Sequence, residues 1–344
     1  MKKLKIGIIG AGGIARKRMI PGILKAEHVT LTAIMDVSVS VCEAIAAQLQ
    51  EENGINIRTF TDAAELIRWE GVDLVYIGSP VFVHKEQVAL CAAAGKPVLC
   101  EKPLGRTVEE VQEMVDLCRK AGIHAGTAFM MRFHTFHRQL KNMIEEGKFG
   151  AIVSGRAQQV FWYPPMEGSW RQVKALGGGG ALMDVGVHNI DLMEYILGSK
   201  TAYLTGFTDT RTFDYDVDDS CHLLIKMENG AVVYIDGAFN ENSGPQGSLL
   251  EIYGTKGTAI LRGTLGQVEG GFVEGFMITE DGKRVPLELT PDFTDMYTKE
   301  VDAFALSVLD DTPEPVPLEQ GLWIQSVAEA AYEAQADSAV IHIV

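Results

Sequence analysis

The sequence predicts an α/β first domain with a doubly wound parallel sheet and an α+β second domain on a mainly antiparallel sheet. Three observations carry this. The chain has 344 residues, a length that suggests two domains more readily than one. Up to about residue 125 strand and helix patterns alternate, the signature of right-handed parallel βαβ units. Beyond that point strand runs follow one another directly through turns.

The alternation begins with "KIGIIG", a buried strand run. "GGIARKRMIPGILKA" then reads as helix, although Pro21 must kink or end it. "VTLTAIMD" and "SVSVCEAIAAQLQEE" are the next strand and helix. "IRTF" adds a short strand before the helical "TDAAELIRWEG". "VDLVYIGS" precedes "FVHKEQVALCAAAG", "PVLCEKP" precedes "TVEEVQEMVDLCRKAG", and "IHAGTAF" closes the run. A helix in "FHTFHRQLKNMIEEGKFG" leads to the long strand "AIVSGRAQQVFWY". Strands follow in "TAYLTGFTDTR", "SCHLLIKM", "AVVYIDGAF", "SLLEIYG" and "GTAILRG", with hairpin turn residues in "MENGAV" and "YGTKGTAI". "DMYTKEVDAFALSVLD" and "EQGLWIQSVAEAAYEAQA" are helices joined by the proline-rich surface loop "DDTPEPVP". The expected domains are 1–125 and 126–344, with the C-terminal helix able to pack back on the first.

Composition narrows the function. The hydrophobic fraction of 47% and charged fraction of 22% are those of a globular protein with a sizeable core. A formal net charge of -16 opposes nucleic-acid binding, which needs a basic surface, and docking on anionic membranes. The five cysteines are an odd number without C-x-x-C spacing, so free buried thiols in a reducing cytoplasm are expected. The start resembles a signal peptide, but its apolar run is short and glycine-rich, and Arg16, Lys17 and Arg18 follow closely. No stretch has the length of a transmembrane helix. The expected location is cytoplasmic.

The first chemical constellation is "GAGGIA", with Gly10, Gly12 and Ala15 in G-x-G-x-x-A spacing. Gly10 permits the tight turn, Gly12 lets backbone approach a pyrophosphate, and Ala15 allows close helix–strand packing. The helix start, through Gly13 and Ile14, offers N–H groups and a favourable dipole to phosphates. Asp36 ends the second strand, where it accepts ribose hydroxyls. A Rossmann dinucleotide site follows. A carboxylate at Asp36 repels the 2′-phosphate of NADP, and "DVSVS" supplies no compensating arginine, so NAD is expected over NADP.

The second is "CEKP", at the carboxyl end of a strand, where ligands bind in open α/β sheets. Pro103 biases Lys102 away from helical geometry. A third is "GGGGALMDVGVHNID". At helical spacing Asp184, His188, Asp191 and Tyr195 share one stripe, with Leu182, Val185, Leu192 and Ile196 roughly opposite. Periodicity alone gives an amphipathic helix with a wet face, and Asp184 also suits a helix's first turn. The four glycines suit a backbone that passes close to something bulky.

Taken with "GSPVFVH", these motifs in this order resemble the glucose–fructose oxidoreductase and inositol dehydrogenase family (Gfo/Idh/MocA) over essentially the whole chain. The resemblance implies a large open sheet in the second domain, whose outer face serves oligomerisation as a homodimer or homotetramer. It places the family's catalytic lysine on Lys102 and its aspartate and histidine on Asp184 and His188. It sets Glu101 and Lys102, and Ser79, Pro80 and His84, beside the nicotinamide. Val81 departs from the asparagine usual after the proline. The glycines before Asp184 then read as clearance for cofactor and substrate, and the Asp184–His188 stripe faces the nicotinamide across the domain junction.

Further candidates are more ordinary. Arg132 in "FMMRF" is a substrate contact or a structural ion pair. Trp162 and Trp170 in "FWYPPMEGSWR" suit stacking on a sugar or aglycone, or belong to core. His134 and His137 in "HTFH" lack a third metal ligand nearby, and no metal is expected. Asp218 and Asp219 read as a solvated acidic turn.

The expected activity is hydride transfer between NAD and a ring hydroxyl of a small-molecule polyol, sugar, cyclitol or glycoside. NAD⁺ and partial burial lower the lysine's proton affinity, so that Lys102 stabilises the developing alkoxide. His188 accepts the proton and Asp184 orients it or the substrate. The choice between Lys102 and His188 as first acceptor stays open. Rival expectations are an enzyme that retains NAD and recycles it through a keto-sugar, a non-catalytic NAD sensor, and an enzyme for a non-sugar carbonyl.

Overall fold

The structure is a computed structural model and describes residues 3–242 and 247–343. The chain forms two compact units. One comprises Met1–Met130 and Asp295–Trp323, the other Met131–Thr294 and Ile324–Val344. The first unit is therefore discontinuous in sequence, and the returning segment carries the helix Met296–Asp310.

The first unit is built on a six-stranded sheet: β1 (Leu4–Ile9), β2 (Val29–Met35), β3 (Arg58–Phe60), β4 (Leu74–Ile77), β5 (Val98–Glu101) and β6 (Ala125–Ala128). Its order is β3-β2-β1-β4-β5-β6, and every pairing is parallel. β4, β5 and β6 are buried throughout, because helices cover both faces of such a sheet. The order reverses between β1 and β4. The crevice outside the carboxyl ends of these strands is where such sheets hold ligands. The connecting helices are α1 (Ile20–Lys25), α2 (Val39–Asn53), α3 (Ala63–Arg68), α4 (His84–Ala93) and α5 (Val108–Ala121). Asp62 caps α3 by accepting from the Glu65 N–H at 2.9 Å, and Gly122 closes α5 in the left-handed region. Pro21 does not end the first helical segment. A π-turn, Ala15–Met19, runs into α1, and Pro21 falls in the first turn of α1, where a missing N–H is harmless. Val75, Ile77, Val88, Val98, Val111 and Met114 form the core on one side of the sheet.

The second unit opens with α6 (Thr135–Glu145), β7 (Ile152–Val160), the short α7 (Lys174–Gly177) and α8 (Val187–Leu197). β8 (Thr201–Asp209), β9 (Ser220–Met227), β10 (Val232–Ala238), β11 (Ser248–Gly254) and β12 (Gly257–Arg262) follow, as the periodicity predicts. Three further strands were not foreseen: β13 (Phe272–Ile278), β14 (Arg284–Pro286) and β15 (Ile341–His342). The order is β14-β13-β12-β11-β7-β10-β9-β8-β15. All neighbours are antiparallel except β7 and β10, so the sheet is mixed rather than purely antiparallel. α8 packs on β7 and β10. The opposite face carries the exposed Leu224 and Tyr234, in strict alternation with the buried Leu223, Ile225, Val233 and Ile235. All five cysteines are buried and free. No helix among the described residues is long and apolar enough to cross a membrane.

Candidate active site

In the first unit the glycine loop after β1 has the form a pyrophosphate needs. Gly10 sits at φ +91°, and an added Cβ would lie 2.5 Å from the Ser79 backbone nitrogen, so only glycine fits. Over Gly12 and Gly13 an added Cβ would meet nothing within 4 Å. That open space, at the start of the helical segment that begins near Ile14 and Ala15, leaves room for phosphate oxygens beside backbone N–H groups. Asp36, at the end of β2, accepts from the Ala11 N–H at 2.9 Å through Oδ2 and from the Ser38 N–H at 3.0 Å through Oδ1. It thus pins the glycine loop to β2, and each oxygen keeps a second lone pair for a ribose hydroxyl. These residues fit a dinucleotide.

The loops after β4 and β5 are tied together by His84. Its buried ring lies with Nε2 2.9 Å from the Ser79 carbonyl oxygen and Nδ1 3.1 Å from that of Pro103. Ser79 donates to Gln87 at 2.6 Å, and Pro80 leads into the turn before α4. His84 therefore holds the polypeptide that carries Lys102. Lys102 is half-buried at the end of β5, and its peptide bond to Pro103 is cis. Glu101 is buried and accepts from the Tyr76 hydroxyl at 2.7 Å. Glu300 and Tyr297, on the helix Met296–Asp310, lie within electrostatic reach of Glu101 and were not foreseen. In sequence Glu300 looks like an ordinary helix charge. The one available signal was its position in the apolar register of Val301 and Phe304.

In the second unit a π-turn, Leu182–Gly186, carries Asp184 and leads into α8 with His188. π-turns inside helices recur at functional sites. Asp184 is partly exposed, 3.6 Å from the Arg171 Nε, and the Arg171 guanidinium lies 4.3 Å over the Trp170 ring. Arg171 was not foreseen. His188 is 5% exposed and Asp191 1%. The wet-stripe expectation is therefore wrong: from Val187 to Leu197 only Tyr195 escapes burial, because α8 is packed on every side. Asp191 takes a fork from Arg132, Nε at 2.8 Å and Nη2 at 2.6 Å, with the guanidinium 5.0 Å over Tyr195. Arg132 is thus engaged in a structural ion pair.

The glycines before Asp184 also need correction. A Cβ on Gly179 would lie 2.0 Å from the Tyr332 hydroxyl, and one on Gly180 1.9 Å from the Asp218 carbonyl oxygen. At these two positions the clearance serves the protein itself. Asp218 is buried, not solvated, and accepts from Gly180 N–H at 2.8 Å, Leu182 N–H at 2.7 Å and Tyr332 O–H at 2.7 Å. Burial pushes its carboxyl above the ordinary range, against the pull of those donors. Asp219 is buried too. It accepts from the N–H groups of Arg211, Thr212 and Phe213 and from the Asn240 amide, fixing the loop after β8. The two aspartates that read as a polar turn instead hold the approach to Asp184.

Trp162 is half exposed and edge-on to Phe213 at 4.8 Å. Trp170 lines an open groove of about 500 Å³ with Pro165, Met166 and Tyr215. Phe161 and Tyr163 pack on Phe239. His137 and His134 are buried against the carbonyl oxygens of Met131, at 2.8 Å, and Gly270, at 3.1 Å. Among the described residues no cluster of three or more metal-ligating side chains forms.

Residues 4–129 match the profile of the oxidoreductase family with an NAD-binding Rossmann fold, and residues 137–260 that of the GFO/IDH/MocA C-terminal domain. The chain is 29% identical to the 1,5-anhydro-D-fructose reductase of Ensifer adhaerens, over 96% of each protein. It is 28% identical to a D-xylose 1-dehydrogenase (NADP(+)) of Haloferax volcanii, over 99% of this chain and 100% of that one. The crystal structure of the aldose-aldose oxidoreductase of Caulobacter crescentus has the same fold, with a TM-score of 0.88 at 23% identity, covering 99% of this chain and 100% of the other. By its two matched domains the chain belongs to the Gfo/Idh/MocA family of NAD-binding oxidoreductases that act on CH–OH groups.

Proposed function

We propose that this enzyme transfers a hydride between a ring hydroxyl of a sugar, cyclitol or glycoside and NAD, with Lys102, Asp184 and His188 as its acid–base set. The observation that carries the reading is Lys102 at the carboxyl end of β5, held by His84, in the same unit as a glycine cradle pinned by Asp36. The relatives named for 1,5-anhydro-D-fructose and D-xylose support a sugar-like substrate. Bound NAD⁺ supplies the hydride acceptor. The chain's own part is to handle the hydroxyl proton. Lys102 hydrogen-bonds the hydroxyl and stabilises the developing alkoxide. His188, on a rigid buried helix, accepts the proton, and Asp184 orients the imidazole or a neighbouring substrate hydroxyl. The Trp170 groove and Trp162 offer aromatic faces to the rest of the substrate.

NAD is preferred over NADP because the Asp36 carboxylate repels a 2′-phosphate and "DVSVS" places no arginine beside it. The Haloferax relative is named for NADP, so the choice lies in such local residues rather than in the fold. The exposed Leu224, Tyr234 and Phe207 on the open face of the large sheet support a homodimer or homotetramer formed through it. The enzyme works as a cytoplasmic protein with a small-molecule partner.

The test is a spectrophotometric screen of sugars, inositols, sugar acids and glycosides with NAD⁺, together with an assay for co-purified cofactor. Lys102→Ala and His188→Ala should each lower turnover on the order of a hundredfold or more, with NAD binding kept. Near-normal turnover in both variants removes these residues from the mechanism. Co-purified NAD with no net NADH would instead favour an enzyme that recycles its cofactor.

A further inference from the structure

Within the second unit, Arg171 stands beside Asp184 with its donors unspent. Its guanidinium lies 4.3 Å over the Trp170 ring, and its Nε lies 3.6 Å from the Asp184 Oδ1. That is an ion-pair distance but too long for a hydrogen bond, and none of the guanidinium N–H groups reaches an acceptor among the described residues. The side chain is 42% exposed, so a ligand can reach those donors. Trp170 also lines the groove of about 500 Å³, with Met166, Tyr215 and the acids Glu167 and Asp214. Small-molecule sites run from roughly 300 to 1,000 Å³. The groove is built, not left by a loose loop. The buried Gln172 amide spans the loop, accepting from the Met166 N–H and donating to the Pro164 carbonyl oxygen, each at 2.8 Å. The Tyr163 and Ser169 hydroxyls meet at 2.8 Å. The Tyr215 hydroxyl donates to the Tyr163 carbonyl oxygen at 3.3 Å, and Phe213 packs on its ring at 5.4 Å.

We propose that the substrate is a glycoside rather than a free sugar: its reacting ring lies at Asp184, its glycosidic oxygen accepts from Arg171, and a neutral cyclic aglycone lies in the groove against Trp170. The inference rests on the hydride-transfer reading given above and narrows its substrate. Each contact follows from the chemistry of the groups. A guanidinium only donates and a glycosidic oxygen only accepts, so the two match. The indole and phenol rings of Trp170 and Tyr215 suit an apolar ring, and such a contact is worth roughly two- to tenfold in binding. Asp184 offsets the charge of Arg171, and Glu167 and Asp214 add negative charge to the groove. A glycosyl phosphate or nucleotide sugar is therefore repelled, and a neutral aglycone is not.

The experiment takes the sugar that turns over best in the screen and compares the free sugar, its methyl glycoside, its p-nitrophenyl glycoside and its 1-phosphate. Full-length wild type, Trp170→Ala, Arg171→Ala and Arg171→Lys are assayed with NAD⁺. Wild-type kcat/KM should be about tenfold higher for the p-nitrophenyl than for the methyl glycoside, and lowest for the 1-phosphate. Trp170→Ala should cut that preference to about twofold or less. Arg171→Ala should raise KM for both glycosides about tenfold or more, with a smaller change in kcat. Arg171→Lys should recover only part of the loss, because an ammonium lacks the guanidinium fork. Equal kcat/KM for the two glycosides in wild type, or a preference that survives Trp170→Ala, would overturn the proposal. So would best turnover on the 1-phosphate, a free sugar or inositol that outperforms every glycoside, or an Arg171→Ala variant that lowers kcat at unchanged KM. If no sugar turns over, the hydride-transfer reading fails, and calorimetric binding of p-nitrophenyl and methyl β-D-glucoside to the same variants decides the groove. A Trp170-dependent preference for the p-nitrophenyl compound then supports the subsite, and its absence overturns it.

Discussion

Asp218→Ala tests the account of the glycine-rich entry to Asp184. The wild-type carboxylate takes hydrogen bonds from the Gly180 and Leu182 N–H groups and from the Tyr332 hydroxyl, all at 2.7–2.8 Å. Truncation leaves three donors in a buried place. An unmade hydrogen bond there costs about 1–3 kcal/mol. Releasing a buried carboxylate offsets part of the loss, as the upward push on its proton affinity indicates. A net loss of roughly 3–6 kcal/mol remains, against the 5–15 kcal/mol by which domains are stable. In a thermal melt this is a fall of roughly 5–12 °C. Tyr332→Phe removes one donor and leaves an acceptor with two others, so it should lose only about 1 kcal/mol. Gly180→Ala is a second probe of the same contact, because its Cβ would meet a backbone oxygen at 1.9 Å that cannot swing aside. Differential scanning fluorimetry of the three variants ranks them. If Asp218→Ala melts within 2 °C of wild type and Gly180→Ala does the same, the glycines do not serve the internal packing argued here.

Asp191→Ala strands a buried guanidinium at Arg132 and should destabilise by about 3–5 kcal/mol, whereas Asp191→Leu combined with Arg132→Met should recover most of that in chemical denaturation. Wild type should give a higher kcat/KM with NAD than with NADP, and Asp36→Ser should narrow the ratio; a wild-type preference for NADP refutes the charge argument. On the open sheet face His222 is raised by its hydrogen bond to Asp236. Asp236 is pushed up by burial but held below the usual range overall by His222 and Arg156. The pair therefore contributes fully between about pH 4 and 6.5; it fades as pH rises through the raised histidine value, and as pH falls through the lowered aspartate value. Both partners meet solvent, so a His222→Gln difference of at most about 1 kcal/mol should appear at pH 5.5 and shrink as the pH rises beyond about 6.5 in urea melts.

Strands and helices were legible because their periodicity is the direct imprint of burial. "VDLVYIGS" became the fully buried β4, and "MENGAV" became the β9–β10 turn with Gly230 at φ +90°. The three missed strands are the ones burial does not mark. β13 and β14 are largely half-exposed or exposed, and β15 is two residues long. The parallel β7–β10 pairing was illegible for a different reason. Local turns specify hairpins, but a pairing between residues 78 apart in the chain, such as Arg156 and Tyr234, depends on what α8 and its neighbours leave room for.

The site divides along the same physical line. Gly10, Gly12 and Asp36 were readable because each answers to a backbone demand fixed within one βαβ unit: a positive φ, a space without Cβ, and a carboxylate at a strand end. Asp191, Asp218, Asp219 and Glu300 were misread or passed over because a sequence does not show whether an acid faces water or a partner far along the chain. Arg132 lies 59 residues from Asp191, and Tyr332 lies 114 from Asp218. In each case an apparent surface charge proved to be a buried one, and three of the four are satisfied by donors that fix the polypeptide around them. Glu300 differs because no donor among the described residues meets it. A buried acid with donors holds structure as a carboxylate, and one without donors must keep its proton.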